Sequence, residues 1–159
     1  MTHHKRKPRK GSARREHHKA GALDHLAQDD DLRHRLTAKP QLWPKAVEEF
    51  IRLYPLVYQD GRLVKQDIDF HGLQLRKGDI VWLGLGSANH APKKFAQPRS
   101  FDLDRDQLNH HLAFGAGIHR CLGVRLMTDS APASLQQLLS MRGAILRLPG
   151  SKRTISLGR

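Results

Sequence analysis

Cys121 is the only cysteine in the chain, and it sits within Phe114-Gly115-Ala116-Gly117-Ile118-His119-Arg120-Cys121-Leu122-Gly123. The thiolate, not the thiol, is the nucleophile and the metal ligand. Three glycines within these ten residues let the backbone turn tightly and approach a flat ligand closely. Phe114 and Ile118 supply apolar cover, and His119 lies two positions before the sulfur. After Gly123 a helix can begin, with Leu122, Leu126, Leu135, Leu138 and Leu139 as its apolar positions. A helix N-terminus beside a sulfur favours the charged form. With no second cysteine to pair or chelate, such a thiolate suits a metal that brings most of its own ligands.

Haem iron is such a metal, and a cysteine thiolate is one of its known axial ligands. The competing site is zinc held by His110, His111, His119 and Cys121. Structural zinc needs four tetrahedral ligands, and two adjacent histidines on a glycine-rich turn suit that geometry poorly.

A second pair with chemical content lies upstream. Pro44 is placed to open a helix at its first turn. The helix would run through Lys45-Ala46-Val47-Glu48-Glu49-Phe50-Ile51-Arg52-Leu53-Tyr54 and stop at Pro55. Glu49 and Arg52 are three apart and share a face of it. Taken alone they would be a surface ion pair worth about 0–1 kcal/mol.

Together the two patterns carry a resemblance. Phe114-x-x-Gly117-x-His119-x-Cys121-x-Gly123, preceded by His111-Leu112-Ala113, resembles the haem-binding signature of the cytochrome P450 superfamily, in the style of its bacterial soluble members. Glu49-x-x-Arg52, followed by Leu53-Tyr54-Pro55, resembles the second signature of that family. The resemblance implies a haem-thiolate monooxygenase with haem b as cofactor and Cys121 as axial, catalytic ligand. It implies that Phe114, Gly117 and Gly123 line the haem, and that Arg62, His111 and His119 meet its propionates. It implies that Glu49 and Arg52 form a buried pair locking the segment before the cysteine loop. Many members place a basic residue just before the Phe of Pro98-x-x-Phe101-Asp102, where this chain has Ser100. Glu49 is therefore expected to have a single cationic partner, Arg99 being one position off.

The elements that must position these residues follow. Leu23, Leu26, Leu32 and Leu36 suggest one or two short helices around Asp29-Asp30-Asp31. Residues 61–70 alternate as one half-buried strand, Leu73-Gln74-Leu75 forms a second, and residues 80–85 a more buried third. These make a small antiparallel meander, with turns at His71-Gly72 and Gly78-Asp79. Residues 86–106 are a loop, whose Ala88-Asn89 and Phe95 fit the family's connection. Pro132 is expected to kink or break the last helix near Ala131, and residues 143–149 to form one strand. The fold class is thus α+β: a mainly helical, C-terminal third of the cytochrome P450 fold, with a small β-meander and a Cys-ligand loop leading into a helix. The domain limits are 1–21, a basic disordered tail; 22–150, the haem-binding segment; and 151–159, a tail.

Length and charge bound the rest. At 159 residues the chain is less than half a family member. The upstream part that would carry the oxygen-activating central helix and most of the substrate pocket is expected to be absent. Residues 1–20 hold eight Lys and Arg against Glu16, giving +7 of the chain's +13. That stretch reads as a solvated basic tail rather than a nucleic-acid arm, because no aromatic residue is interleaved for base stacking. No apolar run reaches membrane-spanning length, and the start has no apolar secretory core. A single cysteine fits a reducing cytoplasm. The function read from the chain is therefore a truncated cytochrome P450-like protein, inserting oxygen into a small organic substrate with electrons from a ferredoxin or flavoprotein reductase. In one form of this reading, a separate chain supplies the missing part. The alternatives are a haem-binding module without catalysis, or a protein that uses its basic arm on nucleic acid or another acidic partner.

Overall fold

The structure is a computed structural model, and it describes residues 21–140. The basic stretch 1–20, the strand expected over 143–149 and the tail 151–159 lie outside the described residues. Gly21, assigned above to the tail, is already helical and buried.

Helix α1 covers 21–28 and helix α2 Asp30–Ala38. Asp29 caps α2, its side chain accepting from the Leu32 amide at 2.8 Å, while Asp30 and Asp31 complement the positive end of the helix. Helix α3, Trp43–Leu53, carries Pro44 in its first turn and ends at the Tyr54 cap before Pro55, as its prolines dictate. Leu26, Leu36, Trp43, Val47 and Phe50 fill the core, with Leu103 from the long loop and Ala131 and Leu135 from the last helix.

Strand β1, Asp60–Leu63, pairs antiparallel with β4, Ile80–Leu83; β2, Ile68–Phe70, pairs with β3, Leu73–Leu75. The expected meander is instead two separate two-stranded sheets, one hairpin inserted into the connection of the other. The single strand expected over 61–70 divides in two. Val64 still exchanges hydrogen bonds with Asp79 and Gly78, at 2.9 Å each, and the chain then turns out to Asp67, whose carboxylate accepts from the Lys77 amide. The inner hairpin turns at His71 and Gly72, both with positive φ, the two-residue loop that matches strand twist. Strand β4, expected to be buried, is not: Ile80 and Trp82 are 62% and 63% exposed.

A short helix α4, Leu85–Ala88, leads into the loop that returns to the core at Phe95 and Leu103. Helix α5, Val124–Ser140, runs without interruption through Pro132, against the expected break. Its Ala131 and Leu135 are buried in the α3 core, and tertiary packing outweighs the missing ladder bond.

Candidate haem-thiolate site

The cysteine loop is held from both ends. The Gly115 amide donates to Leu112 O, the Arg120 amide to Gly117 O and the Cys121 amide back to Phe114 O, at 2.9, 3.1 and 2.9 Å. Gly115 and Gly117 have φ of 70° and 66°, a region that L side chains rarely adopt, so the two glycines are what lets the loop fold back on itself. The loop thereby presents Cys121 at the surface, beside Ile118 and Leu122, which are 96% and 102% exposed. Helix α5 starts at Val124, so the sulfur lies just before a helix N-terminus.

Helix α3 is the foundation under this loop. Arg52 Nε and Nη2 each donate to a Glu49 oxygen at 2.7 Å, a two-point pair with both side chains fully buried. Arg52 Nη1 donates to the carbonyls of Asn89 and Pro98, at 2.9 and 2.6 Å, and Nη2 to that of Ser100 at 3.2 Å. All five guanidinium N–H groups are therefore used, and the plane sits 5.1 Å from the Phe95 ring centre. Glu49 Oε1 also accepts from the Asp102 amide and from Arg105 Nε, at 3.2 and 3.1 Å. The expectation of one cationic partner is thus corrected. Arg105 supplies the second cation, because the chain turns through Gln97 and brings residues 100–105 across the helix.

Asn89 links this pair to the cysteine loop. Fully buried, it donates from Nδ2 to Arg52 O at 3.3 Å, while its Oδ1 accepts from the Leu112 amide at 2.7 Å. The sequence placed Asn89 only in a connecting loop and gave it no role. Arg105 carried no sequence signal, since only the fold brings it to Glu49.

His111 was expected beside His119 at the carboxylate edge of the site. It is instead turned inward, its side chain 2% exposed and its Nε2 2.9 Å from Glu48 Oε2. Its Nδ1 accepts from the Ala113 amide at 3.3 Å, which leaves Nε2 to donate to Glu48. The ring lies 5.7 Å from that of Phe114. His111 thus fastens the start of the loop to α3.

Arg62 and His119 lie in the exposed part of the site. Arg62 Nη1 donates to Asp60 Oδ2 at 2.5 Å and to Gly61 O at 2.9 Å. That hydrogen bond is the main reason the Asp60 carboxyl is held below its ordinary 3.8; desolvation opposes it, and the Arg62 charge, the Gly61 amide and, when protonated, His119 reinforce it. Among the described residues no three His, Cys, Asp or Glu side chains gather as ligands for a metal ion, and no helix is long and apolar enough to cross a membrane.

These residues fit haem: a surface thiol at a glycine-shaped loop, exposed apolar side chains on either side, and an arginine and a histidine in the exposed part for carboxylates. The family model for Cytochrome P450 matches residues 22–140. Mycocyclosin synthase of Mycobacterium tuberculosis is 40% identical over 131 residues, covering 80% of this chain and 33% of that protein. Cytochrome P450 109 of Bacillus spizizenii is 34% identical over 126 residues, covering 79% and 31%. The solved structure of the versatile cytochrome P450 enzyme CYP109B1 from Bacillus subtilis superposes with a TM-score of 0.72 at 34% identity, over 78% of this chain and 34% of that one. The chain belongs to the cytochrome P450 family, the haem-thiolate monooxygenases. Members of the family use haem b. The chain spans about a quarter to a third of the length of the curated relatives it matches.

Proposed function

We propose that this chain binds haem b through the Cys121 thiolate and forms the thiolate side of a monooxygenase centre. One observation carries the reading: Cys121 is exposed on a loop whose flanking Ile118 and Leu122 are also exposed, above the buried Glu49–Arg52 pair and Asn89. Side chains of this kind stay in water only at a cost, and a flat apolar group laid on them removes that cost. Arg62 and His119 would hold the propionates, and Phe114, Gly117 and Gly123 the macrocycle near the sulfur. His111, Asn89, Glu49, Arg52 and Arg105 keep the loop in place from beneath.

Haem bound there supplies dioxygen reduction and oxygen insertion into a small organic substrate, with the thiolate's electron push favouring O–O cleavage. A ferredoxin or flavoprotein reductase would deliver the electrons. The opposite face of the haem and the substrate pocket would come from sequence outside the described segment or from a second chain. A cytoplasmic setting keeps the thiol reduced and available.

The test is the carbon monoxide difference spectrum of the reduced, haem-reconstituted protein beside Cys121→Ala. A strongly red-shifted Soret band present in the parent and lost in the variant is expected. The same histidine-type spectrum in both, or no stoichiometric haem uptake, would refute thiolate ligation.

A further inference from the structure

Strand β1 places Asp60 and Arg62 two residues apart, on one face of the hairpin. Their cross-strand partners Leu83 and Val81 share that face, whereas Gly61, Leu63, Ile80 and Trp82 share the other. The Arg62 guanidinium, reserved above for a ligand carboxylate, already has a carboxylate on it. Nη1 spends its protons on Asp60 Oδ2 and on Gly61 O, at 2.5 and 2.9 Å. Nε and Nη2 have no hydrogen-bond partner among the described residues, so the outer edge of the fork stays open to a second carboxylate. That carboxylate would arrive beside the Asp60 charge. Asp60 and Arg62 are about half exposed, 48% and 43%, so neither is locked away from an incoming ligand. Arg62 is the cation of that edge, and Asp60 removes one unit of charge from it.

We propose that Asp60 is a built-in competitor for the propionate-binding edge, positioning Arg62 side-on while weakening the hold on any ligand carboxylate and so setting how readily haem is released. The proposal rests on the haem reading above and adds to it a residue that the cysteine and Glu-x-x-Arg patterns do not include. Two effects of Asp60 oppose one another. Its hydrogen bond orients Arg62, which favours a ligand; its charge repels the ligand's carboxylate. Asp60→Asn separates them, because the amide oxygen still accepts from Arg62 while the charge is gone. Asp60→Ala removes both.

The experiment measures haem release from the reconstituted full chain to an excess of apo-globin acceptor, for the parent, Asp60→Asn and Asp60→Ala. Iron protoporphyrin IX dimethyl ester, which has no free carboxylates, is the second probe. Asp60→Asn is expected to release haem about two- to fivefold more slowly than the parent, the scale of one exposed charge interaction. The gap narrows in about 1 M salt, where the screening length falls to about 3 Å. With the dimethyl ester, parent and Asp60→Asn release at equal rates, and Asp60→Ala falls short of the Asn gain with haem. Equal haem release by parent and Asp60→Asn, faster release by Asp60→Asn, or a gain that persists with the ester would each overturn the proposal. Absence of haem uptake in every variant, with the ordered fold retained by circular dichroism, would instead refute the haem reading itself and the proposal with it.

Discussion

Arg105 Nε lies 3.1 Å from Glu49 Oε1, although 56 positions of sequence separate the two residues. Glu49 is therefore a carboxylate between two guanidinium groups, with Arg52 on the same helix and Arg105 on the returning loop. The first contact would form in any α3 helix. The second exists only when residues 96–105 have closed over it, because the other Arg105 nitrogens reach the carbonyls of Ala96, Gln97 and Ser100.

The two partners should differ in worth. Arg52→Ala leaves Glu49 buried with its charge half compensated and strips donors from three loop carbonyls; a loss of about 3–5 kcal/mol is expected. Arg105→Ala removes the second cation on Glu49 and the donors to the carbonyls of three exposed loop residues but leaves the two-point pair, for about 1.5–3 kcal/mol. Urea unfolding of the two variants beside the parent checks the order, and equal midpoints for all three would contradict it.

Asn89→Ala should act at a distance from its own position. It leaves the Leu112 amide without its 2.7 Å acceptor and Arg52 O without one donor. A cost of about 1–3 kcal/mol is expected, together with faster amide exchange at Leu112, and faster haem release if the loop holds haem. Unchanged Leu112 exchange would show that the loop does not depend on Asn89.

The Asp60 carboxyl titrates below 3.8 in the folded chain, chiefly because of Arg62. A depressed carboxyl contributes stability that is fully present above its unfolded value and is lost as pH falls through the folded one. The contribution of Asp60 is thus complete at neutral pH and disappears only in strong acid, below 3.8. Arg62→Ala should raise the Asp60 pKa toward 3.8, read by carbonyl-carbon NMR titration. No movement would mean that Arg62 is not the cause.

Pro132→Ala should stabilise the chain. Proline has no N–H to give the Thr128 carbonyl, yet α5 continues through it. Restoring the amide removes a helix-interior penalty of up to about 3 kcal/mol, and thermal unfolding should shift upward. A lower midpoint would indicate that the half-buried ring contributes packing that alanine cannot replace.

Local rules made part of this molecule readable. Pro44 and Pro55 fixed the limits of α3, because proline acts on its own helix turn. The burial of Glu49 and Arg52 followed from the family pattern and not from their spacing, which a surface pair shares. Arg105 was out of reach, since the cation that meets Glu49 is decided by how the loop turns after Gln97. The split of the 61–70 strand escaped for a related reason. The polar run Lys65-Gln66-Asp67 interrupts the alternation, and the Asp67 carboxylate takes the Lys77 amide and draws the chain off the ladder. Pro132 misled in the other direction: a local penalty lost to the burial of Ala131 and Leu135.

The Arg52 guanidinium bonds to carbonyls 37, 46 and 48 positions away, and Glu49 to groups 53 and 56 positions away. Bonds of that span form late, because the chain entropy of closing the loop is lost before any contact repays it. Helix α3 can form within about a microsecond, with its two charges still hydrated. The slow event in assembly is then the arrival of residues 89–105 at one turn of α3. The bed of the cysteine loop is thus among the last parts of the chain to become rigid, and a cofactor captured earlier would meet a sulfur without a fixed address.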